Sequence, residues 1–87
     1  MLGCNVTSTR HASMRFLVRG GARYMEEREL TTKVDDLYQA NKVIFDSEGL
    51  MGPRYRVRIP LPDRRQLVAI IEKIRECRLK IITTWIE

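Results

Sequence analysis

The chain is poor in the residues that carry chemistry on their own. It has one histidine, His11, and two cysteines, Cys4 and Cys77, which lie far apart and outside any CxxC spacing. That pattern argues against a metal site and against a disulfide framework, and it reads as two free thiols with no metal and no cofactor. The longest unbroken apolar run, Leu67 to Ile71, is far too short to cross a bilayer, so no membrane association is expected. Met1 to Ser13 lacks an apolar core of the length a secretory signal needs, which makes the cytoplasm the default location.

What is present is a small basic chain. Its 87 residues form one domain that can bury only about 60 to 65% of its unfolded surface, so a dimer or another partner would add needed stability. Hydrophobic residues make up 44% and charged residues 31%, the balance of a soluble globular protein. The net charge of +5 and the pI near 9.7 come from arginine more than lysine, and arginine is suited to forked contacts with phosphate. A polyanion or an acidic protein would each satisfy this charge, and so would a solvated basic surface.

Met1 to Ser13 is rich in Thr, Ser, Gly and Asn and reads as a loosely held arm, with the folded domain running from Met14 to Glu87. Arg15 to Arg19 has strand-like content and stops at Gly20-Gly21. A helical pattern begins at Ala22. Thr32, with Asp35 three residues on, suggests a restart, so the segment to Ala40 is either two short helices or one unbroken helix. Asn41 is the stop, Val43 to Phe45 a strand, Asp46 to Gly49 a turn, and Gly52-Pro53 a second break.

Arg54 to Ile59 has the clearest pattern in the chain. Tyr55, Val57 and Ile59 alternate with Arg54, Arg56 and Arg58, which places three guanidinium groups on one strand face about 7 Å apart. The following stretch is ambiguous. Asp63 and Gln66 have capping spacing, and Leu67, Ile70, Ile71 and Ile74 fit a helix, which gives a ferredoxin-like βαββαβ layout. The β-branched content of the same residues fits a strand that turns over near Arg75 to Arg78 and pairs with Leu79 to Ile86.

The phrase Gly20-Gly21-Ala22-Arg23-Tyr24-Met25-Glu26-Glu27-Arg28-Glu29-Leu30-Thr31 resembles the helix-opening phrase of small RelE-superfamily proteins, including BrnT-like toxins and allied families. Val43 to Gly49, Tyr55 to Ile59, Leu67 to Ile74 and Lys80 to Trp85 fall in the order of that group's strands, so the resemblance covers Met14 to Glu87. It implies an α+β fold with two N-terminal helices packed on a four-stranded antiparallel sheet, in which residues 66–76 belong to a closing hairpin. For the toxin members it implies RNA cleavage in the cytoplasm and an acidic, antitoxin-like partner. These families often carry a histidine just ahead of the helix; the matching position here is Gly20, and His11 lies in the arm.

Metal-free RNA cleavage needs a base for the 2′-hydroxyl, an acid for the leaving oxygen and cations for the phosphate. Arg28 and Arg56 are the candidates for catalytic phosphate clamps, and Arg23, Arg54 and Arg58 for further nucleic-acid contacts. Against this stands the reading of Arg54, Arg56 and Arg58 as the solvated face of a half-buried strand. Glu27 and Tyr55 are the nearest choices for acid or base, and Trp85 and Tyr38 for base stacking, although such positions are more often surface or core. The expectation is a small RNA-interacting protein, either a RelE-like ribonuclease toxin or a non-catalytic relative. The alternative is a ferredoxin-like, non-enzymatic interaction module that forms a homodimer.

Overall fold

The computed structural model describes residues 3–87, so the first two residues of the expected arm lie outside the described part. The fold is α+β. Strand β1 (Asn5–Ser8) leads into helix α1 (Arg10–Val18), a short 3₁₀ turn (Gly21–Arg23) and helix α2 (Glu27–Gln39). Four strands follow: β2 (Ile44–Glu48), β3 (Pro53–Pro60), β4 (Gln66–Arg75) and β5 (Arg78–Ile86). They form one sheet in the order β1-β5-β4-β3-β2, antiparallel except where β1 runs parallel to β5.

This corrects the expected four-stranded antiparallel sheet: among the described residues there are five strands, the sheet is mixed, and a strand precedes both helices. The extra strand comes from the segment that reads as an arm. β1 has little apolar content, but Val6 and Cys4 pack against the core, and the Cys4 amide donates to Asp35 Oδ1 of α2 at 3.0 Å. Cys4 and Cys77 form a disulfide, which corrects the free-thiol reading and fastens the start of β1 to the β4–β5 turn. Local composition has no access to a bond made across the whole chain.

Arg15 to Arg19, strand-like in content, is the second half and cap of α1. Thr9 caps the helix by accepting from the Ala12 amide at 3.0 Å, and Ala12 and Phe16, four apart, face the core. Gly20 ends it with φ of 90°, a value that glycine adopts without penalty. α2 is a single helix that starts five residues after Ala22; Thr32 does not cap it but turns its hydroxyl back to the Arg28 carbonyl. Asn41 does end the helix, at φ 58°, while the Lys42 amide donates to Leu37 O and the Asn41 amide to Tyr38 O.

Gln66–Arg75 is a strand, so the hairpin reading holds and the ferredoxin-like layout, which requires a helix there, is excluded. β4 is the middle strand of five and is buried on both faces, which is why it reads as a continuous apolar run without a period. Leu67, Ala69 and Ile71 join Val57, Ile59, Leu79 and Ile81 under Phe16, Leu30 and Val34 of the helices. The other sheet face carries no helix. Among the described residues, no helix is long and apolar enough to cross a membrane.

Candidate nucleic-acid interface

Strand alternation puts Val57 and Ile59 under the helices and Arg54, Arg56 and Arg58 on the helix-free face. The register builds three rows across that face. Arg58 faces Val68, which faces Trp85; Arg56 faces Ile70, which faces Thr83; Arg54 faces Glu72, which faces Lys80. Val68 is fully buried on this face, between Arg58 on one neighbouring strand and Trp85 on the other.

Each of the three arginines meets a carboxylate. Arg54 Nε donates to Glu72 Oε1 at 2.6 Å, and the other Glu72 oxygen accepts from the Met51 amide at 3.0 Å. Glu72 is only 3% exposed, so this pair is a structural clamp on the Gly49–Gly52 turn. The Arg54 hydrogen bond holds the Glu72 carboxyl below its ordinary range against the opposing effect of burial. Arg56 Nη2 donates to Asp46 Oδ1 at 2.9 Å, and a bulge between Phe45 and Ser47 leaves Asp46 outside the β2–β3 ladder. Arg58 donates to Glu87 and, at 3.2 Å, to Gln66 Oε1; the bond from Arg58 holds the Glu87 carboxyl below its usual range.

The two outer pairs differ from the inner one. Arg56 and Arg58 side chains are 38% and 37% exposed, and exposed pairs of this kind are worth about 0 to 1 kcal/mol, an amount a phosphate can outcompete. Arg56 and Arg58 also line a groove of about 470 Å³ with Lys42, Ile44, Leu37 and Pro60 among its walls, and no carboxylate belongs to that lining. The groove exists because β2 pairs with β3 only as far as Arg56, after which residues 41–43 swing away toward α2. Arg56 Nε is buried without a hydrogen-bond partner among the described residues.

The remaining sequence candidates lie elsewhere. Arg28 is in the first turn of α2, in the helix layer, and shares neither hydrogen bond, ion pair nor groove with Arg56 among the described residues. Arg23 ends the 3₁₀ turn. Glu27 accepts from Ser13 Oγ at 2.5 Å on the helix side. Tyr55 packs edge to face with Tyr38 and Phe45, so both tyrosines serve the packing under α2 rather than a sheet-face site. Trp85 does stand on the open face, its Nε1 donating to Glu87 at 3.3 Å. Sequence reasoning missed the three carboxylate partners; the signal for one was Glu72, a lone charge closing an apolar run. It also missed Lys42, which only the divergence of β2 from β3 brings beside Arg56.

The chain matches no protein-family model, no curated protein and no solved structure.

Proposed function

We propose that this protein binds RNA through its phosphodiester backbone, with Lys42, Arg56 and Arg58 as the contacting cations and Trp85 as a stacking surface on the same sheet face. The observation that carries the reading is the groove itself: three cations and no carboxylate in the lining. The RelE-like resemblance of the chain supports the same class of ligand. Arg54 is given a structural role, because Glu72 holds it.

Binding without cleavage is the form we favour. The groove lining offers no histidine, glutamate or tyrosine to move a proton beside Arg56, and Arg28 stands apart from it. The reading places the protein in the cytoplasm with its ligand, where thiol reductants would act on Cys4–Cys77 and the fold would rest on its core.

Fluorescence polarisation with a labelled single-stranded RNA oligonucleotide, repeated over a salt series, tests the proposal. Arg56→Ala with Arg58→Ala should weaken binding and flatten the salt dependence by about 0.7 per lost phosphate contact. Unchanged affinity and slope would remove the groove from consideration. Cleavage of the labelled RNA by the wild type, lost in Arg56→Ala, would replace binding by a ribonuclease activity.

A further inference from the structure

Away from the arginine groove, the net charge of the molecule is concentrated in one stretch. From Gly3 to Met25 there are four arginines, Arg10, Arg15, Arg19 and Arg23, and no aspartate or glutamate, so this stretch holds four of the five net positive charges. Among the described residues, none of the four enters an ion pair. The arginines of β3, in contrast, are all matched with carboxylates.

Helix α1 lies within this stretch and has two unlike sides. Ala12 and Phe16 face the core, while Met14, Leu17 and Val18 are 56%, 64% and 72% exposed. Arg10, Met14 and Val18 succeed one another at four-residue spacing, with Leu17 seven after Arg10, so the three apolar side chains and Arg10 share the outer side. Arg10, His11, Met14, Arg15 and Val18 border a shallow depression of about 440 Å³. An apolar strip of this kind contributes nothing to the packing of α1, and exposed strips rimmed by charge mark contact surfaces.

We infer that the outer face of α1 is the docking site for an acidic amphipathic helix of another protein. Apolar residues of that helix cover Met14, Leu17 and Val18, and carboxylates along its flanks meet Arg10 and Arg15. A second copy of this chain does not fit, since a two-fold contact through α1 would set arginine against arginine. RNA would satisfy the arginines and leave the apolar strip in water. A lipid surface would meet both demands but has no use for a depression, which suits a side chain from a packed helix. This inference does not depend on the RNA reading, because α1 packs over β5, away from the β2–β3 edge that holds the groove, and the depression and the groove share no lining residue.

The test uses a synthetic helical peptide with leucines on one face and glutamates along both flanks, titrated into the intact protein. A peptide of the same composition, scrambled so that the leucines no longer share a face, is the control. The helical peptide should bind at least about tenfold more tightly than the scrambled one. Met14→Ser with Leu17→Ser and Val18→Ser should abolish that advantage, as should Arg10→Glu with Arg15→Glu; both sets leave Ala12 and Phe16 in place, and circular dichroism checks the fold. Arg56→Ala with Arg58→Ala should leave peptide binding unchanged while weakening RNA binding, which separates the two proposals. Equal binding of both peptides, retention of binding by the serine variant, or tighter binding to phosphatidylcholine–phosphatidylserine vesicles than to the peptide would each overturn the inference.

Discussion

Cys4 and Cys77 are bonded to each other across a sequence separation of 73 residues, joining the residue before β1 to the β4–β5 turn. A bond that closes so long a loop removes much of the freedom of the unfolded chain, worth about 4 kcal/mol in the chain-entropy account. Reduction, or Cys4→Ser, should therefore lower unfolding stability by about 3 to 4 kcal/mol, read from urea titrations with and without reductant. Hydrogen exchange should rise first in β1, which holds its place through one neighbouring strand only. A loss below about 1 kcal/mol would show that β1 docks on β5 without the bond.

Glu72 makes stability depend on pH in a defined direction. Its carboxyl is held below the ordinary range by Arg54, so its contribution is complete above the unfolded value of about 4.3 and is lost as pH falls through the lower folded value. Glu72→Gln should cost about 2 kcal/mol at neutral pH, because the amide keeps one acceptor oxygen and turns an NH2 donor toward the other of its two partners, Arg54 and the Met51 amide, while Arg54 loses its counter-charge, and should flatten the acid side of the stability curve. An unchanged acid limb in the variant would mean that other carboxylates set it.

The turn that Glu72 holds has its own requirement. A Cβ on Gly52 would stand 2.0 Å from the Lys73 carbonyl oxygen, a backbone atom of β4 that cannot rotate aside. Gly52→Ala should destabilise by about 2 kcal/mol, measured by thermal unfolding, with the disturbance confined to β2, β3 and the end of β4 in amide shifts. Gly20→Ala meets no atom within 4 Å, and its cost should come from φ alone, about 1 kcal/mol.

The parts of this fold that were legible in the sequence are those in which the pattern is local. Tyr55, Val57 and Ile59 alternate because β3 has one buried face and one open face, and β3 is where the sequence puts it. Asn41 stops α2 because a short polar side chain tolerates left-handed backbone. What could not be read was set by distant partners. Residues 67–71 are apolar on both faces because β4 is central, a fact of sheet order rather than of local spacing. Asn5–Ser8 becomes a strand because Cys77, Asp35 and β5 hold it there. The arginine row was legible, but not its division into one arginine locked by Glu72 and two beside a groove. That division rests on which carboxylate folding brings to each.

That division makes the candidate site testable by gain as well as by loss. Asp46 sits at a bulge and holds Arg56 through a single exposed contact of 2.9 Å, so Asp46→Asn removes a competing negative charge at little cost in stability. If phosphate reaches Arg56, RNA affinity should rise about three- to fivefold, the equivalent of releasing an exposed pair of up to about 1 kcal/mol, and the salt dependence should steepen. Glu87→Gln should act in the same direction through Arg58. Glu72→Gln, by contrast, should not raise affinity, because its effect falls on the fold and on Arg54. A series in which Asp46→Asn leaves binding unchanged while Arg56→Ala weakens it would show that Arg56 supports the groove without touching RNA, and the contact would then belong to Lys42 and Arg58.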